Sequence, residues 1–144
     1  MFFTTESHFG YDKAQTNYLF KTSFSTLVAG LYALYNKKYE FSLMANLCWL
    51  SSINYWRDPM PGWRRNVDII FVVTSLMNQY AKAYKYQYAH IYYPLITLSA
   101  SCYPISIYYY NNNKIWCSVY FHSGVHIFAN LANIILYHGK RITE

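Results

Sequence analysis

The chain has 144 residues, enough for one domain. Asp, Glu, Lys and Arg make up only 12% of it while Phe, Trp and Tyr reach 22%, against about 25% charged residues in ordinary soluble domains. This composition excludes a disordered chain and a charge-rich nucleic-acid-binding domain, although the formal charge is +6. The mean hydropathy of −0.02 understates the apolar character, because 18 tyrosines lower it and a tyrosine ring packs well in apolar surroundings when its hydroxyl has a polar partner.

Residues 1–17 mix charge, glycine and aromatics and hold no apolar core of signal-peptide length. They read as a polar, interfacial segment with Phe2, Phe3 and Phe9 as anchors, or as a tail. Beyond them the charges fall in clusters: Lys37, Lys38 and Glu40; Arg57, Asp58, Arg64 and Arg65; Lys82 and Lys85; Lys114; Lys140 and Arg141. The uncharged runs between the clusters approach or reach the ~17–25 residues of a bilayer-crossing helix. The pattern predicts an all-α, polytopic transmembrane bundle with about five spans, at 18–36, 41–56, 67–82, 88–110 and 115–137. Backbone amides in lipid must be paired internally, so single uncharged runs of this length read as helices. Residues 18–139 form one transmembrane domain and 140–144 a short basic tail.

Pro94 and Pro104 fall inside the fourth span, and each removes a ladder bond, so that helix is expected to be kinked or broken in two. Asn111, Asn112 and Asn113 read as a tight turn before the fifth span. Lys and Arg divide evenly between the two loop faces, so the positive-inside rule assigns no orientation. The basic character fits contact with anionic lipid, and no nucleic-acid partner is expected. Cys48, Cys102 and Cys117 all lie in spans; an odd count without loop partners predicts buried free thiols.

In the fifth span His122, His126, Asn130, Asn133 and Tyr137 recur at steps of four, four, three and four. At ~100° per residue they occupy one arc of about 80°, a polar stripe that must face other helices or a wet cavity. Such a stripe reads most simply as interhelical hydrogen bonding. The His122-x-x-x-His126 pair could also share a divalent metal. Asp68, the one carboxylate inside a span, begins the third span on the same side, where Ser51 and Ser52 end the second. An ion pair from Asp68 to Lys21, Arg64 or Arg65 is the structural alternative. The stripe from Asp68 continues through Val72, Ser75 and Gln79.

A serine near the end of one span, an aspartate at the start of the next and His-x-x-x-His in the last resembles the CREST superfamily of membrane hydrolases, which includes alkaline ceramidases and progestin/adiponectin-type receptors. The resemblance rests on Ser51 or Ser52, Asp68, His122 and His126. Tyr55 and Trp56 stand where that family carries a further histidine, and five spans stand where it has seven. It implies zinc on His122 and His126, a water held by Asp68, an oxyanion steadied by Ser51 or Ser52, and a lipid amide or ester as substrate, or else an inactive relative. The expectation from another class is a non-catalytic structural subunit of a larger membrane assembly, such as a respiratory or ATP-synthase complex or a viral internal membrane. Either way the partners are the lipid bilayer and, for the second reading, other membrane subunits.

Overall fold

The computed structural model describes residues 10–142 and is all-helical, as expected. Its elements are α1 (Lys13–Thr22), α2 (Phe24–Tyr35), α3 (Tyr39–Trp56), α4 (Trp63–Ala83), α5 (Ala89–Asn111) and α6 (Ile115–His138). Phe2, Phe3 and Phe9 lie outside the described residues. The helix start falls earlier than the expected 18, because Asp12 and Gln15 form a reciprocal capping box: Gln15 N donates to Asp12 Oδ1 at 2.7 Å and Asp12 N to Gln15 Oε1 at 2.9 Å. Only Ser23 separates α1 from α2, its hydroxyl turned back onto the Leu19 carbonyl at 3.0 Å.

Two reversals share one geometry. Lys37 and Asn113 both adopt left-handed backbone, with φ of 58° and 57°. Behind them Lys38 N reaches the Ala33 carbonyl at 2.8 Å and Lys114 N the Tyr109 carbonyl at 2.9 Å, the bond that closes a helix C-terminus in a Schellman motif. The asparagine run is therefore the tight turn the sequence implies. At the third reversal Gly62, with φ of 140°, precedes α4, a conformation that residues with a Cβ rarely adopt.

The most extensive packing is between α5 and α6, followed by α2 on α3 and α3 on α4, with α2 also against α6 and α1 across α6 and α3. Close approach comes from small residues: a Cβ built on Gly30 of α2 would come within 2.9 Å of Asn46 Nδ2 on α3, and Ser42 Oγ donates to the Gly30 carbonyl at 2.8 Å. One apolar cluster joins Phe41, Tyr92, Ile96, Leu136 and Tyr137 towards the end where α6 finishes. A second joins Leu19, Tyr55, Trp56 and Val119 towards the other.

Around these clusters the usual distribution is reversed. On α4, Met77 is 65% exposed while Gln79, two residues on, is 3% exposed. On α2, Val28 is 57% exposed beside a fully buried Ala29. Leu31, Leu43, Leu50, Ile70, Val73, Leu98, Ile127 and Leu131 point outward, and Ser42, Ser51, Ser52, Ser75, Ser99, Ser106, Ser118, Ser123, Asn130 and Asn133 point inward.

Several expectations are corrected. Of the kink or break expected in the fourth span, the break is absent: α5 runs continuously through Pro94 and Pro104, both of which lie on its exposed side. Helix α4 starts at Trp63 rather than Val67, so Arg64 and Arg65 belong to its first turn. Val72 leaves the stripe of Asp68, Ser75 and Gln79 and faces outward. Cys48 and Cys102 are buried free thiols, but Cys117 is exposed. Among the described residues, α6 alone is long and apolar enough by composition to cross a membrane; α4 carries Arg64, Arg65 and Asp68, and α5 carries a dense set of tyrosines.

Candidate functional site

The last turns of α3 and the first turns of α4 run side by side and bring three of the candidate residues together. Ser52 Oγ donates to Asp68 Oδ1 at 2.6 Å, and Ser51 Oγ lies 2.9 Å from the same oxygen. Ser51 also lies 2.9 Å from the Cys48 carbonyl, so its one hydroxyl hydrogen has two acceptors within reach. All three side chains are buried. Of the three cations anticipated for Asp68, Arg64 pairs with Asp58 at 3.5 Å. Lys21 is exposed.

From Asp68 a polar seam continues along the inner face of α4. Cys48 Sγ donates to the Phe71 carbonyl at 3.1 Å, Gln79 Nε2 to Ser75 Oγ at 2.8 Å, and Tyr137 Oη of α6 to Gln79 Oε1 at 3.1 Å. Asp68, Ser75 and Gln79 recur at i, i+7 and i+11, so the seam is about 16 Å long at ~1.5 Å per residue. It runs from the packed α3–α4 pair to α6, whose backbone has few close contacts with α4.

The histidines occupy a different wall. The rings of His122 and His126 are 5.4 Å apart, and His122 meets Trp56 edge-on at 5.1 Å and Tyr103 at 6.1 Å. His126 Nε2 is buried without a hydrogen-bond partner. Asn130, one turn on, binds the His126 carbonyl at 2.7 Å and reaches Ser25 Oγ at 2.8 Å and Thr26 Oγ1 at 3.0 Å on α2. Since Ser52 and Trp56 are one turn apart on α3, Asp68 and His122 both contact the last two turns of that helix and so sit at the same end of the bundle. The ring packed edge-on against His122 at that end is Trp56. A catalytic zinc needs three protein ligands and an open position; among the described residues no three His, Cys, Asp or Glu side chains gather closely enough to hold a metal. The two imidazoles provide the edge of a ligand set without its remainder.

Several polar contacts carry no signal in residue spacing. Ser106 Oγ donates to the Ser118 carbonyl at 3.0 Å and Ser99 Oγ to the Val125 carbonyl at 2.8 Å, stitching α5 to α6. Their one legible sign is recurrence, since Ser99 and Ser106 are seven residues apart and share a helix face. At the opposite end His138 Nδ1 and Tyr32 Oη are 2.8 Å apart.

These features define an all-helical protein that buries many serines and asparagines beside its apolar clusters and turns many large apolar side chains outward. No family model matches the sequence. Neither a curated protein nor a solved structure matches the chain.

Proposed function

We propose that the chain is a small multi-pass integral membrane protein, its helical rods standing in lipid, and that it serves as a non-catalytic structural subunit of a membrane assembly. The observation that carries this reading is the reversed distribution of side chains. In water, outward Leu, Ile, Val and Met on every long helix would cost about 25 cal/mol for each Å² of apolar surface left wet, and soluble monomers rarely show large contiguous apolar patches. In lipid the same residues face a solvent as apolar as themselves, and association rests on small residues and interhelical hydrogen bonds. Gly30, Ala29 and Ala33 on α2 and the serines on α3, α5 and α6 supply both. The seam from Asp68 to Tyr137 binds its groups to one another. Two clefts, one at Lys38 and Arg141 and one at Tyr32 and Ile134, lie at the opposite end from Asp68.

Extraction tests the membrane reading. The chain should stay in the pellet after alkaline carbonate washing and dissolve only with detergent; a monodisperse, detergent-free monomer would overturn it. Co-purification with membrane partners at fixed stoichiometry, unchanged by Asp68→Asn, supports the subunit reading.

The convergence of Ser51 and Ser52 on Asp68 favours a second reading, a metal-dependent lipid amide or ester hydrolase of the CREST type or its inactive relative. Purified protein then carries near-stoichiometric zinc that a His122→Ala, His126→Ala double variant loses. Folded, metal-free protein ends it.

A further inference from the structure

At the end of the bundle opposite Asp68, the chain after α6 folds back on the α4–α5 connection. Gln87 N donates to the Lys140 carbonyl at 3.0 Å and Ile142 N to the Lys85 carbonyl at 2.8 Å, with Tyr86 and Arg141 facing each other as an isolated antiparallel bridge. This pairing carries Arg141 to a cleft of about 220 Å³ that Lys38, Lys82 and Lys85 also line. The four cations come from three places in the chain: the start of α3, the end of α4 with its following turn, and the tail. Phe41, 3% exposed and stacked on Tyr137, and Tyr86 supply aromatic walls.

The charges in this cleft do not balance. Glu40 is its one carboxylate, and Lys82 pairs with it. Among the described residues Lys38, Lys85 and Arg141 have no carboxylate partner. Lys38 instead stands 4.3 Å from the Tyr86 ring centroid, and partial burial pulls its ammonium below the ordinary lysine range. Three cations converging on one concave space, one of them partly desolvated, repel one another unless an anion joins them. Two lysines and an arginine suit a phosphate, whose oxygens accept point-charge and forked donors together. The place suits it as well, since the cleft lies beyond the ends of α2, α4 and α6, at the depth where a bilayer would present its headgroups.

We propose that the cleft lined by Lys38, Lys85 and Arg141 binds a phosphate group, carried by an anionic phospholipid headgroup or by a soluble phosphate. The lipid source rests on the membrane reading above; the soluble source does not, and carbonate extraction tests the membrane reading separately.

The full chain is purified in detergent and its thermal midpoint followed in two arms: phosphatidic acid against phosphatidylcholine in mixed micelles, and inorganic phosphate against chloride at equal ionic strength. The expected result is a rise in one or both arms, with binding weakened about fivefold or more for each cation removed. A Lys38→Ala, Arg141→Ala double variant should lose the response, while Lys114→Ala, at the opposite end, keeps it. A response in the lipid arm alone assigns the headgroup, and one in both arms assigns phosphate from either source. If the double variant does not fold, Lys85→Ala puts the same question with less disturbance to the tail bridge. No response in either arm, or one that survives these substitutions unchanged, overturns the site.

Discussion

Ser52 and Asp68 meet hydroxyl to carboxylate at 2.6 Å across the α3–α4 interface. With Ser51 at 2.9 Å on the same oxygen, the carboxyl is held by donors from one neighbouring helix and not by an ion pair with Arg64, which is engaged with Asp58.

The contact predicts a graded response at Asp68. Asn keeps an oxygen acceptor of the same shape, so Asp68→Asn should change stability in detergent by less than about 1 kcal/mol. Ala leaves the Ser52 hydroxyl without its acceptor and opens space beside it, at a cost of about 1–3 kcal/mol. Denaturant unfolding followed by tryptophan fluorescence reads both. Equal losses for the two variants would mean that the negative charge itself, paired elsewhere, is what the site requires.

The end of the seam gives a second prediction. Tyr137 Oη donates to Gln79 Oε1 at 3.1 Å while Gln79 Nε2 is engaged with Ser75. Interhelical hydrogen bonds in membrane proteins contribute about 0.6 kcal/mol on average, so Tyr137→Phe should cost about that much. In a double-mutant cycle with Gln79→Leu the coupling should be of the same size and favourable. Zero coupling would show that the seam's geometry does not translate into cohesion between α4 and α6.

Much of this arrangement is legible in the sequence, and the parts that are not share a cause. The charge gaps locate α3, α5 and α6 to within a few residues because a charge at a helix end is cheap and one in the middle is not. Asp68 with Ser51 and Ser52 is readable because a lone carboxylate within an apolar run needs donors, and the nearest lie on the preceding helix just across the turn. The start of α1 was available in the Asp12-x-x-Gln15 spacing but is masked by the polar character of residues 13–17. The tail bridge at Tyr86 and Arg141 and the serine stitches between α5 and α6 depend on how elements distant in sequence approach, which periodicity on one helix does not encode. Trp56 beside His122 is of the same kind: the helical register places both near one end, and the packing of α6 against the end of α3 makes them neighbours.

Gly30 provides a steric test of the α2–α3 interface. The 2.9 Å approach of Asn46 Nδ2 to a Cβ at this position involves the end of a side chain, itself tethered to the Ser42 carbonyl at 2.8 Å. Gly30→Ala should therefore be close to neutral, the ~1 kcal/mol gain in helix propensity offsetting the displaced amide. Gly30→Leu must push α2 away from α3 and should cost several kcal/mol, as overpacking does. Adding Asn46→Ala to Gly30→Ala removes the clash and should raise the midpoint above that of Gly30→Ala alone. If it does not, the two helices are not in the contact described.

The Glu40–Lys82 pair gives a prediction in pH. Its hydrogen bond to Lys82 holds the Glu40 carboxyl below its ordinary value of 4.5. A carboxylate depressed in the folded state adds stability above its unfolded pKa, and that increment disappears as pH falls through the folded value. The wild type should thus lose midpoint on going from pH 6 to pH 3 by more than Glu40→Gln does, and the two should converge at the acid end. Both side chains are substantially exposed, at 58% for Glu40 and 41% for Lys82, so solvent and salt screen the pair. The difference at pH 6 should shrink further in about 0.5 M NaCl, where the Debye length falls well below its ~10 Å value at 0.1 M. A wild type that tracks Glu40→Gln at every pH and salt concentration would show that Glu40 and Lys82 do not pair in solution.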